Sequence, residues 1–411
     1  MPEFFKVLPP DDALSKLWQH LPLPATPERI AAAAALGRVL AEPVIAGADL
    51  PAFARSTMDG YAVRAQDTYG ASQTLPAFLT VVGEAPMGSA PTFGIEAGQA
   101  ALVHTGGMLP KGADAVVMIE LTQAARANEI EVLRAVAPAE NVLQVGDDIR
   151  AGAAMLPAGH WLRPQDIGGL AALGVMEVVV ARQPRVALLA TGDELVPPEA
   201  QPGLGQVRDI NSYSLGGQVA KAGGVPLRRG IAPDNFEALR AAAAAALDEA
   251  DMLVLSAGSS VSVRDMTAEV VNSLGQPGML VHGVAVKPGK PTILAVAGGK
   301  PIIGLPGNPV SAMVIADLFV VPTVYRLQGC PQPPFRPAVP ASLTHNLASQ
   351  TGRMDYVPAR LKPGPDGAWL AEPVFGKSNQ IFTLVLADGM IVVPMDVTGL
   401  SAGEMVWVRL F

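Results

Sequence analysis

The chain has 411 residues, half of them hydrophobic, so it can bury a large core spread over two to four domains. Its formal net charge is −8, from 29 Lys and Arg against 37 Asp and Glu. This charge argues against a general nucleic-acid binder, because such proteins carry a basic face. A single cysteine, Cys330, excludes an internal disulfide framework and a Cys-based zinc site, and it fits a reducing cytoplasm. The N-terminal segment lacks the features of a signal peptide, and no apolar run is expected to approach the ~18 residues of a membrane span.

The first part of the chain is predicted to combine helices with an inserted β-rich module. Residues 11–20 have the pattern of a short helix, and Thr26 followed by Pro27 is typical of a helix start, which predicts a second helix to about residue 40. Short alternating segments separated by Gly and Pro turns predict strands at residues 60–63, 78–82, 100–103, 115–119 and 129–135. A helix at residues 163–173 and a strand at 175–180 follow.

From residue 186 strands alternate with helices, which is the pattern of a doubly wound α/β domain. The predicted strands are residues 186–190, 225–228, 252–255, 281–286, 292–296 and 302–305, and the predicted helices are 212–222, 235–249, 265–274 and 310–327. The predicted fold class is therefore α/β and multidomain. Residues 1–48, which form N-terminal helices and a linker, pack with 151–181; the β-rich module is 49–150, the α/β domain is 182–331, and a small C-terminal β domain is 332–411.

Two neighbouring turns in the α/β domain predict an anion site. The first carries Lys287 and Lys290, three residues apart, after an apolar strand. The second follows the strand at 302–305, where Asn308 can cap a helix that has Pro309 at its first position. A helix N-terminus attracts anions through its free N–H groups and its dipole, and two lysines nearby suit a phosphate. Two ordinary turns with solvated lysines are the alternative.

Four predicted strands of this domain end in loops that hold small, hydroxyl, acidic or basic residues. Ligands of open α/β sheets bind beyond the carboxyl ends of the strands, so these loops are candidates for a shared site. Their acids include Asp193, Glu194 and Asp265, and carboxylates suit Mg²⁺ bridged to substrate phosphates. Taken alone, each acid is more simply a solvated loop residue or a helix cap, and the shared edge of the four loops is what favours a site. Asp59 and Asp148 lie in the β-rich module, where both could belong to exposed turns.

A series of short motifs runs along nearly the whole chain. The motifs are STMDGYAVR (56–64), TGG (105–107), PKGADAVV (110–117), GDDI (146–149), TGDEL (191–195), SSVSVRD (259–265), KPGKP (287–291), GLPGNP (304–309), GRMDY (352–356) and GKS (376–378). In this order they resemble the molybdopterin molybdenumtransferase family, to which the gephyrin E domain is similar.

The resemblance implies a homodimer of elongated, four-domain protomers with a molybdopterin-binding α/β domain and an inserted module that reaches the pocket of the other subunit. It also implies insertion of molybdate into adenylylated molybdopterin, with Mg²⁺ as cofactor and release of AMP, and the molybdopterin adenylyltransferase as a partner.

The resemblance also implies roles for individual residues. The implied catalytic residues are Asp59, Asp148, Glu194 and Asp265, and the implied Mg²⁺ ligands are Asp193, Glu194 and Asp265. The implied substrate-binding residues are Thr105, Thr191, Gly192, Asp193, Ser259, Ser260, Lys287, Lys290, Pro306, Gly307, Asn308, Pro309, Arg353, Lys377 and Ser378. A reaction that cleaves a phosphoanhydride and delivers an oxyanion needs such an acidic cluster close to lysines.

The chain departs from the family pattern at Ala257 and Ser262, where glycines are usual, and at Leu143, where an arginine is frequent. These departures leave two alternatives open beside an active transferase: a catalytically weak or inactive pterin- or nucleotide-binding scaffold on the same fold, and an enzyme acting on another nucleotide pyrophosphate. Insertion of tungstate instead of molybdate is a further open alternative. Neither nucleic acid nor a membrane is expected as a partner.

Overall fold

The computed structural model of the protein describes residues 7–21, 26–257, 261–365 and 367–411, with the side chains of 261–264 excepted. The chain divides into two units. One unit contains residues 1–41, 159–164 and 177–411, and the other contains residues 42–158 and 165–176. Each unit is described separately below.

The N-terminal segment of the larger unit contains one of the two predicted helices. Helix α1 spans Pro10–Trp18 and buries Leu17, which confirms the first prediction. The second prediction is wrong, because Pro27–Ala31 is a strand, β1, followed by a short 3-10 turn at Ala32–Ala34. Strand β1 pairs antiparallel with the strand Glu177–Ala181 over five residues. Pairing with this strand outweighs the high intrinsic helix propensity of the alanine run, since tertiary contacts routinely override propensity.

The smaller unit is the predicted β-rich module. Its main sheet has six strands in the order β7-β4-β6-β5-β9-β8, and all five predicted strands lie in it. Buried residues such as Val63, Leu79 and Val117 form its core. The elements are β2 (Val44–Ile45), β3 (Arg55–Ser56), β4 (Gly60–Val63), β5 (Ala77–Glu84), β6 (Gln99–Val103), β7 (Ala115–Met118), β8 (Thr122–Arg126), β9 (Glu129–Val132), β10 (Val142–Leu143), β11 (Ala154–Leu156) and helix α2 (Pro164–Ala172), with 3-10 turns at Ala65–Thr68 and Ile119–Leu121.

The α/β part of the larger unit has a six-stranded sheet in the order β16-β13-β17-β21-β20-β18. Its elements are β12 (Glu177–Ala181), β13 (Arg185–Thr191), β14 (Leu195–Val196), β15 (Val207–Arg208), α3 (Asn211–Lys221), β16 (Val225–Ala232), α4 (Phe236–Glu249), β17 (Met252–Ala257), α5 (Val261–Ser273), β18 (Pro277–His282), β19 (Val286–Lys287), β20 (Ile293–Ala297), β21 (Lys300–Pro306), α6 (Pro309–Ile315), a π turn (Ala316–Val320) and α7 (Val321–Leu327). Successive residues of one strand point to opposite faces, so Leu188 and Leu189 of β13 pack into separate cores on the two faces of the sheet. Coverage of both faces confirms the doubly wound α/β class.

The directions of the strands decide which loops share an edge of this sheet. The first four strands in that order are parallel. Strand β20 runs against β21, and β18 runs against β20, so β18 again points the same way as β21. The carboxyl ends of β13, β17 and β21, and with them three of the four predicted loops, therefore lie at one edge. The fourth prediction is wrong, because the lysine turn follows β19, which pairs with β24 (Met354–Pro363) and not with the α/β sheet. The predicted single strand at 281–286 is two strands, because the chain turns at Gly283, whose φ of 101° disfavours other residues.

The segment Pro309–Leu327 is one continuous helical stretch of 19 residues with a mean hydropathy of 1.6. By length and composition it could cross a membrane, so the prediction that no apolar run approaches that length is wrong. The stretch is mostly buried inside the protein, where Phe319 and Val324 belong to the main core. Its apolar character therefore has an explanation in the core of the larger unit.

The C-terminal part forms the predicted small β domain. Its sheet runs β19-β24-β25-β22-β28-β26, and an additional pairing of β24 with β26 closes five of these strands into a barrel. Ala341, Ile391 and Val408 fill its core. The elements are β22 (Ala338–Leu343), β23 (Leu347–Ala348), β24 (Met354–Pro363), β25 (Trp369–Pro373), α8 (Phe382–Val385), β26 (Gly389–Val393), β27 (Gly399–Leu400) and β28 (Met405–Leu410).

Candidate functional site

A short strand joins the α/β domain to the C-terminal barrel and so assembles the candidate site. Strand β19 follows the α/β sheet in sequence, yet it pairs in parallel with β24 of the barrel, with Lys287 opposite Asp355. This pairing places the lysine turn beside the GRMDY motif. A cleft of about 1000 Å³ lies between the two domains. Predicted site residues from both domains line it, namely Lys287, Lys290, Pro306, Asn308, Arg353, Lys377 and Ser378.

A buried carboxylate organises two of the cations in this cleft, here called the lysine cleft. The Asp355 side chain is 4% exposed, and its Oδ1 accepts a hydrogen bond of 2.8 Å from Arg353 Nε. The Nζ of Lys287, whose side chain is 57% exposed, lies 3.6 Å from Asp355 Oδ2. In the described part of the chain, Lys290 and Lys377 are exposed and have no carboxylate partner. Four cations line the cleft against one carboxylate, so the cleft carries an excess of positive charge that suits an anion.

The turn between β21 and α6 also borders the lysine cleft, but its details differ from the prediction. Asn308 occupies the N-cap position, with Pro309 at the first helical position, yet its side chain makes no capping hydrogen bond. Instead Asn308 Nδ2 donates to Ser378 Oγ over 3.0 Å, and the Val310 N–H donates to the Ser378 carbonyl oxygen over 3.0 Å. The barrel thus occupies one of the helix N–H groups that we expected to face an anion.

A second cleft of about 600 Å³, here called the acidic cleft, is lined by Gly192 and Asp193, which follow β13. The buried Thr191 donates through Oγ1 to Asp234 Oδ1 over 2.7 Å, and the Asp234 N–H donates to Asp193 Oδ1 over 3.1 Å. Asp234 is not among the site residues that the sequence predicted. The available signal was its position just after β16, at the same edge of the sheet, and directly before Asn235, the cap of α4.

The three predicted Mg²⁺ ligands can be judged by their exposure and by how closely they gather. Asp193, Glu194 and Asp265 are all exposed carboxylates. Among the described residues, no three His, Cys, Asp or Glu side chains gather closely enough to hold a metal. Mg²⁺ usually binds through only one or two carboxylates and completes its shell with water and substrate phosphates. The three predicted ligands therefore form no ready-made metal site in the described part of the chain, and one or two of them would meet Mg²⁺ only together with its substrate.

The loop that follows β17 is described only in part. Ser259 and Ser260 lie outside the described residues, and the side chain of Ser262 does too. Ala257 is the last residue of β17 and is buried, and it pairs in register with Thr191 of β13 and Pro306 of β21. An alanine at this position is thus accommodated within the regular sheet.

In the β-rich module, Asp59 is held by two hydrogen bonds from one residue. The Thr105 N–H donates to Asp59 Oδ1 over 2.8 Å, and Thr105 Oγ1 donates to the same oxygen over 3.1 Å. The backbone bond from Thr105, then its side-chain bond, lowers the pKa of the Asp59 carboxyl, and His104 adds a smaller effect. The His104 ring lies between two carboxylates, with Nε2 3.0 Å from Glu84 and Nδ1 3.8 Å from Asp59. Asp59 is thus an exposed, firmly ionised carboxylate.

The backbone next to Asp59 requires a glycine. A Cβ added at Gly60 would collide with the carbonyl oxygen of Val117 on the neighbouring strand β7. The close approach of β4 to β7 therefore fixes the start of the strand that directly follows Asp59. The other predicted acid of this unit, Asp148, is exposed, and its N–H donates to the Leu50 carbonyl. Leu143 on β10 lies directly opposite Arg55 on β3, so a guanidinium is present on the adjacent strand.

Comparison with known proteins gives three family matches in chain order. Residues 8–174 match the family described as MoeA N-terminal region (domain I and II), residues 187–326 match the probable molybdopterin binding domain, and residues 340–411 match the MoeA C-terminal region (domain IV). The molybdopterin molybdenumtransferase of Haemophilus influenzae is 33% identical over 402 residues, which are 98% of each chain. The enzyme of that name from Bacillus subtilis is 32% identical over 98% of this chain and 94% of the relative.

Two solved structures superpose on the protein over almost its whole length. A structure of the molybdopterin biosynthesis MoeA protein from Pyrococcus horikoshii OT3 superposes with a TM-score of 0.86 at 31% identity, covering 99% of this chain and 100% of the other. A second structure, of the molybdopterin biosynthesis MoeA protein from Pyrococcus horikosii, gives a TM-score of 0.79 at 36% identity, covering 98% of this chain and 99% of the other.

Proposed function

The chain belongs to the molybdopterin molybdenumtransferase family of molybdenum cofactor biosynthesis, and on this premise we propose that it inserts molybdate into adenylylated molybdopterin with release of AMP. The single observation that carries the oxyanion part of this proposal is the lysine cleft. Lys287, Lys290, Arg353 and Lys377 converge there from two domains. Charge-assisted hydrogen bonds from such groups suit the oxygens of a molybdate dianion or of a phosphate.

The residues of the chain would contribute in distinct ways. Asp355 orients Arg353 and Lys287, so the two cations are held before the oxyanion arrives. Lys290 and Lys377 are exposed and can close on the anion. Pro306, Gly307 and Pro309 shape the turn, and Asn308 with Ser378 ties it to the barrel. Such preorganisation favours developing negative charge without rearrangement of the protein.

The acidic residues would serve the phosphoanhydride. Asp193, Glu194 and Asp265 are the proposed Mg²⁺ ligands, and the bound ion would supply positive charge to the pyrophosphate oxygens. Thr191 and Asp234 hold Asp193 in place through the two hydrogen bonds described above. Asp59 and Asp148 are the proposed catalytic acids of the β-rich module, and Thr105 keeps Asp59 ionised. Gly192, Ser259 and Ser260 remain proposed substrate contacts.

We also propose an oligomeric state, a cellular compartment and a source of substrate for the enzyme. We expect a cytoplasmic homodimer that receives its substrate from the molybdopterin adenylyltransferase. Native mass spectrometry of the purified protein would report a mass of two chains if the homodimer is correct. A monomer over the concentration range of the assay would contradict it.

One assay tests the proposed reaction. The purified protein is incubated with adenylylated molybdopterin, Mg²⁺ and molybdate, and AMP release is followed by chromatography. The expected result is release of AMP that requires both molybdate and Mg²⁺. Parallel reactions with tungstate test the choice of oxyanion. Binding of the substrate without any release of AMP would contradict the transferase reaction and favour a binding scaffold on the same fold.

A further inference from the structure

The acidic cleft carries features that the oxyanion chemistry of the lysine cleft does not use. It lies over the carboxyl ends of β13 and β16, beside the N-terminus of α3, and has a volume of about 600 Å³, within the usual range for a small-molecule site. Its apolar wall is built by Leu195, Pro197, Pro198, Ile231 and Pro233. Its polar groups are Asp193, Glu199, Asp209, Ser212, Tyr213 and Arg228.

A buried hydroxyl in this cleft has no partner of its own. Ser212 is 3% exposed, and its Oγ forms no hydrogen bond within the described part of the chain. Its N–H, in contrast, donates to Asp209 Oδ1 over 3.1 Å. Buried polar atoms are nearly always hydrogen-bonded in native proteins, so an unpaired hydroxyl that lines a cleft indicates a ligand that pairs with it.

An aromatic ring and a planar cation lie next to that hydroxyl. The guanidinium carbon of Arg228 is 4.5 Å from the centre of the Tyr213 ring, which places it over the face of the ring. The phenolic O–H of Tyr213 donates to Glu199 Oε1 over 3.0 Å, and this bond fixes the tilt of the ring. Tyrosine and arginine both offer flat surfaces on which a heteroaromatic ring can stack.

In the absence of a bound cation, the charge of this cleft disfavours a free phosphate as its main occupant. Three carboxylates, those of Asp193, Asp209 and Glu199, face one guanidinium, that of Arg228. The lysine cleft has the opposite balance, with four cations against one carboxylate. The two clefts therefore suit different parts of one ligand: an anionic part beside the lysines, and a neutral part rich in N–H donors beside the acids.

One residue connects the two clefts. Asn211, directly before Ser212, is 7% exposed, and its Nδ2 donates to the Gly307 carbonyl oxygen over 2.8 Å. Gly307 belongs to the turn that borders the lysine cleft, so the first turn of α3 is anchored to that turn. A ligand that reaches both clefts would pass along this contact.

We propose that the acidic cleft binds an amino-substituted heteroaromatic ring of the substrate, stacked beside Tyr213 and Arg228 with its N–H edge toward Ser212 and the carboxylates. This proposal rests on the proposed function, whose substrate carries two such rings, a pterin and an adenine. Both present flat faces and exocyclic amino groups, so the shared chemistry defines the site. Experiment must decide which ring occupies it.

The test is calorimetric titration of the full-length protein with three probes: 6-hydroxymethylpterin, AMP and molybdate. Tyr213→Ala should weaken binding of one ring-bearing probe about tenfold, since stacking of a base on an aromatic side chain contributes about 1–3 kcal/mol. Ser212→Ala should weaken the same probe about threefold, the size of one neutral hydrogen bond. Tyr213→Phe keeps the stacking surface and should retain most of the affinity. Molybdate binding should be unchanged in all three variants.

Tyr69→Ala is the matched control, because Tyr69 is an exposed tyrosine, 62% accessible, in the other unit. A response confined to the pterin assigns the pterin to this cleft, and a response confined to AMP assigns the adenine. Equal affinities of both ring probes for the wild-type protein, Tyr213→Ala and Ser212→Ala would overturn the proposal. AMP release is measured in parallel. Turnover with unaltered ring binding would reject only this subsite, whereas altered ring binding without turnover would reject only the proposed reaction.

Discussion

Asn308 and Ser378 are 70 residues apart in the sequence, yet Asn308 Nδ2 donates a hydrogen bond of 3.0 Å to Ser378 Oγ. The bond joins the turn before α6 to the C-terminal barrel across the lysine cleft. The Val310 N–H adds a second bond, to the Ser378 carbonyl. The two domains that supply the cations are therefore tied together at the rim of the cleft, which limits how far the cations can separate.

This tie predicts energetic coupling between the two side chains. Asn308→Ala and Ser378→Ala should each lower the free energy of unfolding by about 0.5–1.5 kcal/mol. The double variant should lose less than the sum of the two, since the same bond is removed once. Urea unfolding of the four proteins in a double-mutant cycle measures the coupling. Additive losses would mean that the bond contributes nothing to stability.

The lysine cleft predicts a loss of oxyanion affinity with little loss of stability. Lys287→Ala and Lys290→Ala should each weaken molybdate binding about tenfold or more, because a hydrogen bond to a charged group contributes about 1.5–3 kcal/mol. Both side chains are exposed, so unfolding midpoints should change little. Calorimetry with molybdate gives the affinities. Lys111→Ala, at an exposed lysine of the other unit, is the control and should bind as the wild-type protein does.

The two cations bound to Asp355 should differ in their effect on stability. Arg353→Ala removes two contacts, of 2.8 and 3.4 Å. Among the described residues, the cation that then remains beside the buried Asp355 carboxylate is Lys287, 3.6 Å away. The Arg353→Ala substitution should lower the free energy of unfolding by about 2 kcal/mol, as expected when a buried charge loses its main partner. Lys287→Ala removes one exposed contact and should cost less than about 1 kcal/mol. Equal losses in urea unfolding would show that Asp355 does not depend on Arg353.

The Asp59–Thr105 contact predicts a change in pH dependence. Bonds from Thr105 keep the pKa of Asp59 below its ordinary value, so its ionised form persists as the pH falls. Thr105→Val removes the side-chain bond and leaves the backbone bond, so the pKa should rise toward, without reaching, the ordinary value. If ionised Asp59 is needed, the acid limb of the rate of AMP release should move to higher pH.

Carbon-detected NMR titration of the Asp59 carboxyl provides a readout independent of activity. The expected result is a higher midpoint in Thr105→Val than in the wild-type protein. Thr122→Val, at a hydroxyl that bonds only to the Ile119 carbonyl among the described contacts, serves as the control. An unchanged midpoint in Thr105→Val would show that the Thr105 hydroxyl does not lower the pKa of Asp59.

Local patterns in the sequence determined most of the secondary structure. Alternating and continuous apolar runs predicted the strands of the α/β sheet and of the β-rich module, because side-chain periodicity reflects which faces are buried. The order of strands and helices predicted the doubly wound class and correctly placed the loops after β13, β17 and β21 at one edge. The KPGKP and GLPGNP turns predicted an anion site, since their charges and helix start are visible within a few residues.

Tertiary structure decided the features that depend on partners distant in the chain. Residues 27–31 form a strand because β12 pairs with them, against a local helix-start pattern. Asn308 bonds to Ser378 instead of capping its helix, because the barrel brings that hydroxyl within reach. Asp234 and the acidic cleft were missed because separate segments build them. Periodicity records burial along one segment, whereas pairing between segments depends on contacts that no single segment contains.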